Sequence, residues 1–182
     1  VIFDSNIYDE LYSKIEVTAH RGNSTVTMPN TIPAFKEAIK EGADYGELDV
    51  RQTKDNVIVV THDASLKEMT GQDINVRDLT YEELQKIPCI EVNGNKCTVP
   101  KLEDVINVCK GKIKLNIEIK TGNNDSEDFV SDIVKIIENT DFVDKCVVTS
   151  LDYRALRKVK ECNPKIKTGY IMAVAMGEFY DL

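Results

Sequence analysis

The spacing of hydrophobic residues along the chain predicts strands alternating with helices. Residues 112–120 show the cleanest strand pattern, because isoleucine or leucine occupies every second position and polar side chains lie between them. Shorter apolar runs predict further strands at residues 16–20, 45–50, 57–61, 146–150 and 167–172. The chain therefore has about six predicted strands.

Between the strands, apolar residues recur every three or four positions, which is typical of amphipathic helices. The predicted helices cover residues 8–15, 30–41, 80–87, 100–110, 126–138 and 152–162. Thr80 and Glu83 have the spacing of a capping box, and Ser126 is the expected cap of the helix that follows it. Gly42 is expected to end the helix that begins near residue 30.

Strands that alternate with amphipathic helices predict right-handed βαβ units and a largely parallel sheet, either open and doubly wound or closed as a barrel. The first strand leads into His20, Arg21 and Gly22 rather than into a glycine-rich nucleotide-binding turn. Ionisable residues instead lie at the ends of several strands, as in barrels whose site is built at the carboxyl ends of the strands. We therefore predict an α/β fold of the TIM-type (β/α) barrel class.

Two carboxylates lie together in the strand at residues 45–50. Glu47 and Asp49 are two residues apart, so both side chains point to one face. Close carboxylates repel each other and resist burial unless a cation lies between them or water reaches both. The pair alone is compatible with a divalent metal site and with a solvated strand face. Glu118 would add a third oxygen ligand, and such a hard-ligand set suits magnesium or calcium.

Cationic and imidazole side chains follow the same strands. Arg21 and Lys120 could bind an anion bridged to the metal, since a guanidinium contacts two phosphate oxygens at once. His20 and His62 are the only histidines, and two imidazoles could serve as general base and general acid at a phosphate. Taken singly, each histidine is also compatible with a structural role, and Asp63 with orienting its loop.

Composition and charge limit the possible partners. With 182 residues, 42% hydrophobic and 30% charged, the chain is predicted to form one globular domain over residues 1–182. A net charge of -8 argues against nucleic acid or an anionic membrane as the main partner. The apolar runs are shorter than the roughly 20 residues that a membrane-spanning helix needs.

Cysteine spacing and the start of the chain bear on its surroundings. Five cysteines without C-x-x-C spacing indicate reduced thiols rather than disulfides or a zinc site. The sequence starts at Val1 without a visible signal peptide, and we expect it to be a piece of a longer protein. The expected location is the cytoplasm, or that of a soluble domain in a longer protein that is itself attached to a membrane.

Several short motifs follow one another between Val17 and Lys120. They are His20-Arg21-Gly22, Asn30-Thr31, Gly42-Ala43-Asp44, Glu47-x-Asp49-Val50, Thr53-x-Asp55, Val59-Val60-x-His62-Asp63 and Asn116-Ile117-Glu118-Ile119-Lys120. In order, spacing and residue type these motifs resemble those of the glycerophosphodiester phosphodiesterase family.

The resemblance implies a TIM-type barrel that uses a divalent metal to hydrolyse glycerophosphodiesters to sn-glycerol 3-phosphate and an alcohol. The neighbouring glycerol hydroxyl is the implied internal nucleophile, and the cyclic phosphate that it forms is then opened by water. By position, the implied metal ligands are Glu47, Asp49 and Glu118. The implied acid-base pair is His20 and His62, and the implied phosphate contacts are Arg21 and Lys120.

Two features depart from the family pattern. The family usually has Pro-Glu-Asn-Thr where this chain has Met28-Pro29-Asn30-Thr31, so the glutamate is missing. A barrel of this type needs eight strands and roughly 250 residues, whereas about six strands are predicted here. We therefore expect a barrel truncated at its C-terminal end, or one completed by another copy of the chain, since open strand edges favour self-association.

Two other functions remain as alternatives. The chain could be a related phospholipase D-like enzyme acting on lysophospholipid or sphingolipid head groups, which exposed apolar loops near the strand ends would favour. The sequence shows no clear loop of that kind. The chain could also be a non-catalytic module that keeps the fold and only binds.

Overall fold

A mainly parallel sheet forms the centre of the computed structural model, which describes residues 15–172. Its strands are β1 (Thr18–Ala19), β2 (Tyr45–Gln52), β3 (Ile58–Val60), β4 (Lys114–Ile119), β5 (Cys146–Ser150) and β6 (Lys167–Tyr170). The order across the sheet is β1-β2-β4-β5-β6, and every neighbouring pair in that path is parallel. The predicted α/β barrel architecture is confirmed, and the sheet of the described residues has six strands, five of them in the parallel path.

The strand β3 differs from the other five in direction. It runs antiparallel to β2 and pairs only with its end, with Val50 opposite Val60 and Gln52 opposite Ile58. The turn between them contains Asn56, whose positive φ of 64° suits the left-handed region that asparagine tolerates. The hairpin therefore returns the chain to the carboxyl end of β2 instead of adding a barrel strand.

Helices connect the parallel strands. They are α1 (Ile32–Lys40), α2 (Lys67–Thr70), α3 (Tyr81–Gln85), α4 (Leu102–Cys109), α5 (Phe129–Asn139) and α6 (Tyr153–Cys162), with 3-10 turns at Val76–Asp78 and Val143–Lys145. All the predicted helices after residue 30 are present, and the short α2 was not predicted. The helix predicted over residues 8–15 lies outside the described residues, apart from residue 15, which is not helical.

One predicted helix cap is confirmed and another is wrong. The Thr80 hydroxyl accepts a hydrogen bond from the Glu83 N–H at 3.3 Å, and the Glu83 carboxylate accepts one from the Thr80 N–H at 2.8 Å. Ser126 does not cap α5, which begins at Phe129 after Asp128. Its hydroxyl and N–H instead bond the Gln52 side chain at 2.9 and 3.0 Å. A contact between distant segments has replaced the local one.

The apolar face of the parallel strands packs against the helices. Burial alternates along β4, where Leu115 and Ile117 are fully buried and the positions between them are half-buried. The facing helices contribute the residues predicted to point inward, including Phe35, Ile106 and Ile133. Because one face of each strand is committed to this core, the polar residues at alternate positions lie on the other face, which is the inner face of a barrel.

The sheet is less covered towards β6. Residues of β6 are exposed or half-buried, whereas those of β2 are almost all buried. Among the strands of residues 15–172, β1 and β6 each pair with a single neighbour.

The five cysteines all fall within the described residues and are free thiols, as predicted. In the same part of the chain, every helix is too short or too polar to cross a membrane.

Candidate active site

Three carboxylates converge at the carboxyl ends of β2 and β4. The parallel register places Asp49 beside Glu118, and Glu47 lies on the same face of β2 two residues earlier. One oxygen from each of the three lies within 4.8 Å of the others. Glu47 and Asp49 are only 7% and 1% exposed. The predicted set is therefore a real cluster, and most of it is removed from solvent.

The cluster perturbs the ionisation of Glu47. Burial raises the pKa of the Glu47 carboxyl to about 7, and the nearby charges of Asp49 and Glu118 push it in the same direction. The backbone N–H of Arg21 opposes this by donating a hydrogen bond to Glu47 Oε2 at 2.9 Å. Two ionised carboxylates are thus accommodated in the cluster more easily than three. A bound cation would offset the electrostatic cost of ionising the third.

Asp49 is the most heavily contacted member of the cluster. Its Oδ2 accepts a hydrogen bond from Asn30 Nδ2 at 3.0 Å and lies 3.5 Å from Arg21 Nε. Its Oδ1 lies 3.3 Å from Lys120 Nζ, which is also 2.6 Å from Glu118 Oε1. Asn30 is buried and has a φ of 59°, so the backbone adopts an uncommon conformation where its amide meets Asp49.

The two predicted phosphate contacts lie within the carboxylate cluster. Lys120 Nζ is paired with Asp49 and Glu118. Arg21 contacts Asp49 and also Glu68, whose Oε1 lies 3.7 Å from Arg21 Nη1. Arg21 Nε is buried and donates no hydrogen bond to any described residue, and Asp49 Oδ2 at 3.5 Å is its ion-pair partner. A buried guanidinium N–H with only this long contact is incompletely satisfied, so this side of the cluster is suited to an additional anionic or oxygen ligand.

His20 reaches the cluster from β1. Parallel pairing of Ala19 with Gly46 brings the end of β1 beside Glu47, and His20 Nε2 lies 3.7 Å from Glu47 Oε2. The imidazole is 72% exposed and so is open to a ligand from solvent. The turn after it depends on Gly22, since a Cβ there would lie 2.7 Å from the backbone of Ala34 in α1.

His62 is brought to the same end of β2 by the hairpin. The N–H of Thr61 donates to the Asp49 carbonyl at 3.0 Å, and Arg51 Nε donates to the His62 carbonyl at 2.7 Å. The ring Nδ1 lies 2.8 Å from Asp63 Oδ1. His62 and Asp63 also form, with Glu68, a second group whose ligating atoms lie within 4.8 Å of one another.

The chemistry of the first group fits a divalent metal. It offers three carboxylate oxygens, two from buried residues, and one of those carboxyls resists ionisation in the absence of a cation. The second group is more open to solvent, since His62 is half-buried and Asp63 and Glu68 are exposed. Glu47, Asp49 and Glu118 are therefore the residues best suited to hold the ion.

Sequence reasoning did not assign site roles to three side chains that the structure places here. Asn30 contacts Asp49, Arg51 contacts the His62 backbone, and Glu68 contacts Arg21. Arg51 could have been found, because it continues the alternation of Glu47 and Asp49 along β2. Glu68 follows a loop after β3, so only the tertiary structure brings it near Arg21.

Carboxylates flanked by imidazole and cationic side chains, at the carboxyl ends of parallel strands in an α/β barrel, are typical of barrel hydrolases that act on phosphate esters with a divalent metal. The chain belongs to the glycerophosphoryl diester phosphodiesterase family, whose model matches residues 20–176. The family that the sequence motifs resemble is thus confirmed.

Individual relatives agree with this assignment. The chain is 35% identical to a glycerophosphodiester phosphodiesterase of Caldanaerobacter subterraneus subsp. tengcongensis, over 91% of this chain and 70% of that protein. It is 35% identical to a lysophospholipase D of Mus musculus, over 74% of this chain and 48% of that protein. The chain thus spans about half the length of the mouse relative.

A solved structure shares the fold over a similar range. An Oleispira antarctica phosphodiesterase, determined in complex with the product sn-glycerol-3-phosphate, superposes with a TM-score of 0.80 at 27% identity. The match covers 91% of this chain and 70% of that one. Described residues of this chain therefore follow the family barrel closely.

Proposed function

We propose that this chain hydrolyses glycerophosphodiesters to sn-glycerol 3-phosphate and an alcohol, with a magnesium or calcium ion held by Glu47, Asp49 and Glu118. The convergence of these carboxylates with His20 and Arg21 at the carboxyl ends of β1, β2 and β4 is the observation that carries the proposal. Membership of the family and the product complex of the Oleispira antarctica relative support it.

The roles follow from the positions of the side chains. A bound divalent ion supplies stabilisation of the negative charge that gathers on the phosphoryl oxygens. Arg21 lies at the edge of the carboxylates with its Nε in only a long ion pair to Asp49, and it is suited to contact a phosphoryl oxygen, as is Lys120. Both would also hold the diester in place and so favour an in-line geometry.

Proton transfer falls to the two imidazoles. One of His20 and His62 accepts the proton of the attacking hydroxyl as its oxygen bonds to phosphorus. The other donates a proton to the alcohol oxygen as the bond between that oxygen and phosphorus breaks. With the neighbouring glycerol hydroxyl as nucleophile, the first product is a cyclic phosphate, which water opens with the same two groups in exchanged roles.

The test is release of glycerol phosphate from glycerophosphocholine in the presence of magnesium, calcium or a chelator. We expect turnover that requires the ion and falls at least about a hundredfold in His20→Ala and in Glu47→Ala. Glu82→Ala is the matched control, since Glu82 is an exposed carboxylate whose ion-pair partner among the described residues is Lys86, at the end of α3. Turnover that survives the chelator, or that neither site substitution lowers, would contradict the proposal.

The similarity to a lysophospholipase D favours lysophospholipids as a second substrate class. Four large apolar side chains at the ends of β5 and β6 are more than half exposed, namely Leu151, Tyr153, Tyr170 and Met172. They lie at the same end of the sheet as the site, where the sequence showed no clear apolar loop. An acyl chain would remove such side chains from water, a gain of about 25 cal/mol per Å² of apolar area.

Comparing lysophosphatidylcholine with glycerophosphocholine tests this second candidate. If the apolar end binds an acyl chain, Leu151→Ser with Tyr153→Ser lowers kcat/KM for the lysophospholipid and leaves that for glycerophosphocholine unchanged. Equal effects on the two substrates would refute a role in chain recognition. Ion binding without turnover of either substrate would instead support a module that only binds.

A further inference from the structure

His62 is held by two groups outside the carboxylate cluster, and their contacts differ in kind. Arg51 Nε donates to the His62 carbonyl at 2.7 Å and so contacts only the backbone. Asp63 Oδ1 lies 2.8 Å from ring Nδ1 and so contacts only the imidazole. Building on the function proposed above, we infer that Arg51 and Asp63 are positioning residues that together present His62 to the substrate in one orientation and one tautomer.

The ring contact favours one tautomer for a chemical reason. A carboxylate offers only acceptor lone pairs, so the 2.8 Å contact requires Nδ1 to carry the hydrogen and donate it to Asp63. In the neutral ring Nε2 is then left with the free lone pair. An imidazole with Nε2 unprotonated can accept a proton there, and the imidazolium that results can return it from the same atom.

The backbone contact ties His62 to the strand that carries the carboxylates. Arg51 follows Glu47 and Asp49 at alternate positions of β2, so its side chain leaves the same face. A second bond, from the Thr61 N–H to the Asp49 carbonyl at 3.0 Å, anchors the preceding residue to the same strand. The position of the His62 backbone is thus set by the strand that supplies two of the three carboxylates.

The surroundings of Asp63 leave its carboxylate available for this task. Among the described residues, the His62 ring Nδ1 is the hydrogen-bond partner of the Asp63 carboxylate. The backbone carbonyl of Asp63 accepts a separate bond from the Thr61 hydroxyl at 3.4 Å. The side chain is 53% exposed, and so solvent weakens the contact relative to a buried pair. We therefore expect Asp63 to bias the tautomer rather than to fix it completely.

The tautomer can be read directly from the imidazole ¹⁵N resonances at about pH 8, where a histidine ring is ordinarily neutral. The chain has only two histidines, so His20→Gln leaves a single ring in a protein prepared without a histidine tag. In that background we expect an Nδ1-protonated ring. Asp63→Asn should produce a mixture of both tautomers, and Asp63→Glu should largely restore the original one.

Activity measured in the chain that keeps His20 gives an independent test. Asp63→Asn should lower kcat roughly tenfold with KM almost unchanged, as expected when one proton transfer is impaired. Arg51→Gln should lower kcat without changing the tautomer, and Arg51→Lys, which keeps the charge and a donor, should lose less. Asp73→Asn is the matched control, because Asp73 is a carboxylate of a nearby loop that accepts a hydrogen bond from the Ser65 hydroxyl at 2.6 Å.

The inference is overturned if Asp63→Asn keeps both the Nδ1-protonated ring and full kcat, or if Arg51→Gln is as active as the unmodified chain. Should Arg51→Gln fail to fold, Arg51→Lys decides that part by the same measurement. A chain without phosphodiesterase activity would refute the proposed function, while the ¹⁵N spectra would still decide whether Asp63 sets the tautomer.

Discussion

The ionisation of Glu47 gives a prediction that can be measured without substrate. In the metal-free protein its carboxyl has a pKa of about 7 against an ordinary value of 4.5. A difference of that size is worth about 3 kcal/mol at about 1.4 kcal/mol per unit. Because the folded-state pKa is raised, folding favours the protonated acid, and this stability is fully present below pH 4.5 and is lost as the pH rises through about 7.

The perturbation is Glu47→Gln, which keeps an oxygen to accept the hydrogen bond of the Arg21 N–H but carries no titrating group. The assay is urea unfolding with a chelator present, at several pH values from about 5 to about 8. We expect the variant to gain on the unmodified protein by up to about 3 kcal/mol across this range. Carboxylates away from the cluster titrate alike in both proteins and cancel in the comparison, whereas the coupling of Glu47 to Asp49 and Glu118 is part of the measured difference.

Adding magnesium or calcium should reverse the order of the two proteins. The ion needs the ionised carboxylate, so its binding at about pH 6 should release a proton from Glu47 and stabilise the unmodified protein more than Glu47→Gln. Calorimetry in buffers of different ionisation enthalpy measures that proton. A free-energy difference between the two metal-free proteins that stays constant with pH would show that Glu47 is ionised throughout and would refute the reasoning.

Three further substitutions test the fold around the site by urea unfolding. Gly22→Ala should destabilise the protein more than Gly71→Ala, because both positions have positive φ but only the first places a Cβ against Ala34; equal losses would mean that α1 moves aside. Thr80→Ala should cost about 1 kcal/mol through loss of the capping box, and an unchanged midpoint would show that water replaces the cap. Leu115→Ala removes a fully buried side chain and should cost about 2 to 5 kcal/mol; a loss below about 1 kcal/mol would show that the core collapses into the space.

Local signals were sufficient for much of the fold. Alternation along β4 predicted its buried face, because side chains two residues apart on a strand share one environment whatever the strand pairs with. The capping box at Thr80 was equally predictable, since both of its hydrogen bonds close within four residues. The identity of the carboxylate and imidazole residues also came from the sequence, because their chemical types and spacing are properties of the chain itself.

The tertiary structure decided how those residues meet. The register of β2 against β4 sets Asp49 beside Glu118, and a shift by one residue would have sent Glu118 to the opposite face. The tertiary structure also pairs Ser126 with Gln52 instead of with its own helix. It turns β3 back along β2, and this carries His62 to the end of β2. Contacts between segments far apart in sequence depend on which surfaces bury together, and residue spacing alone does not record that.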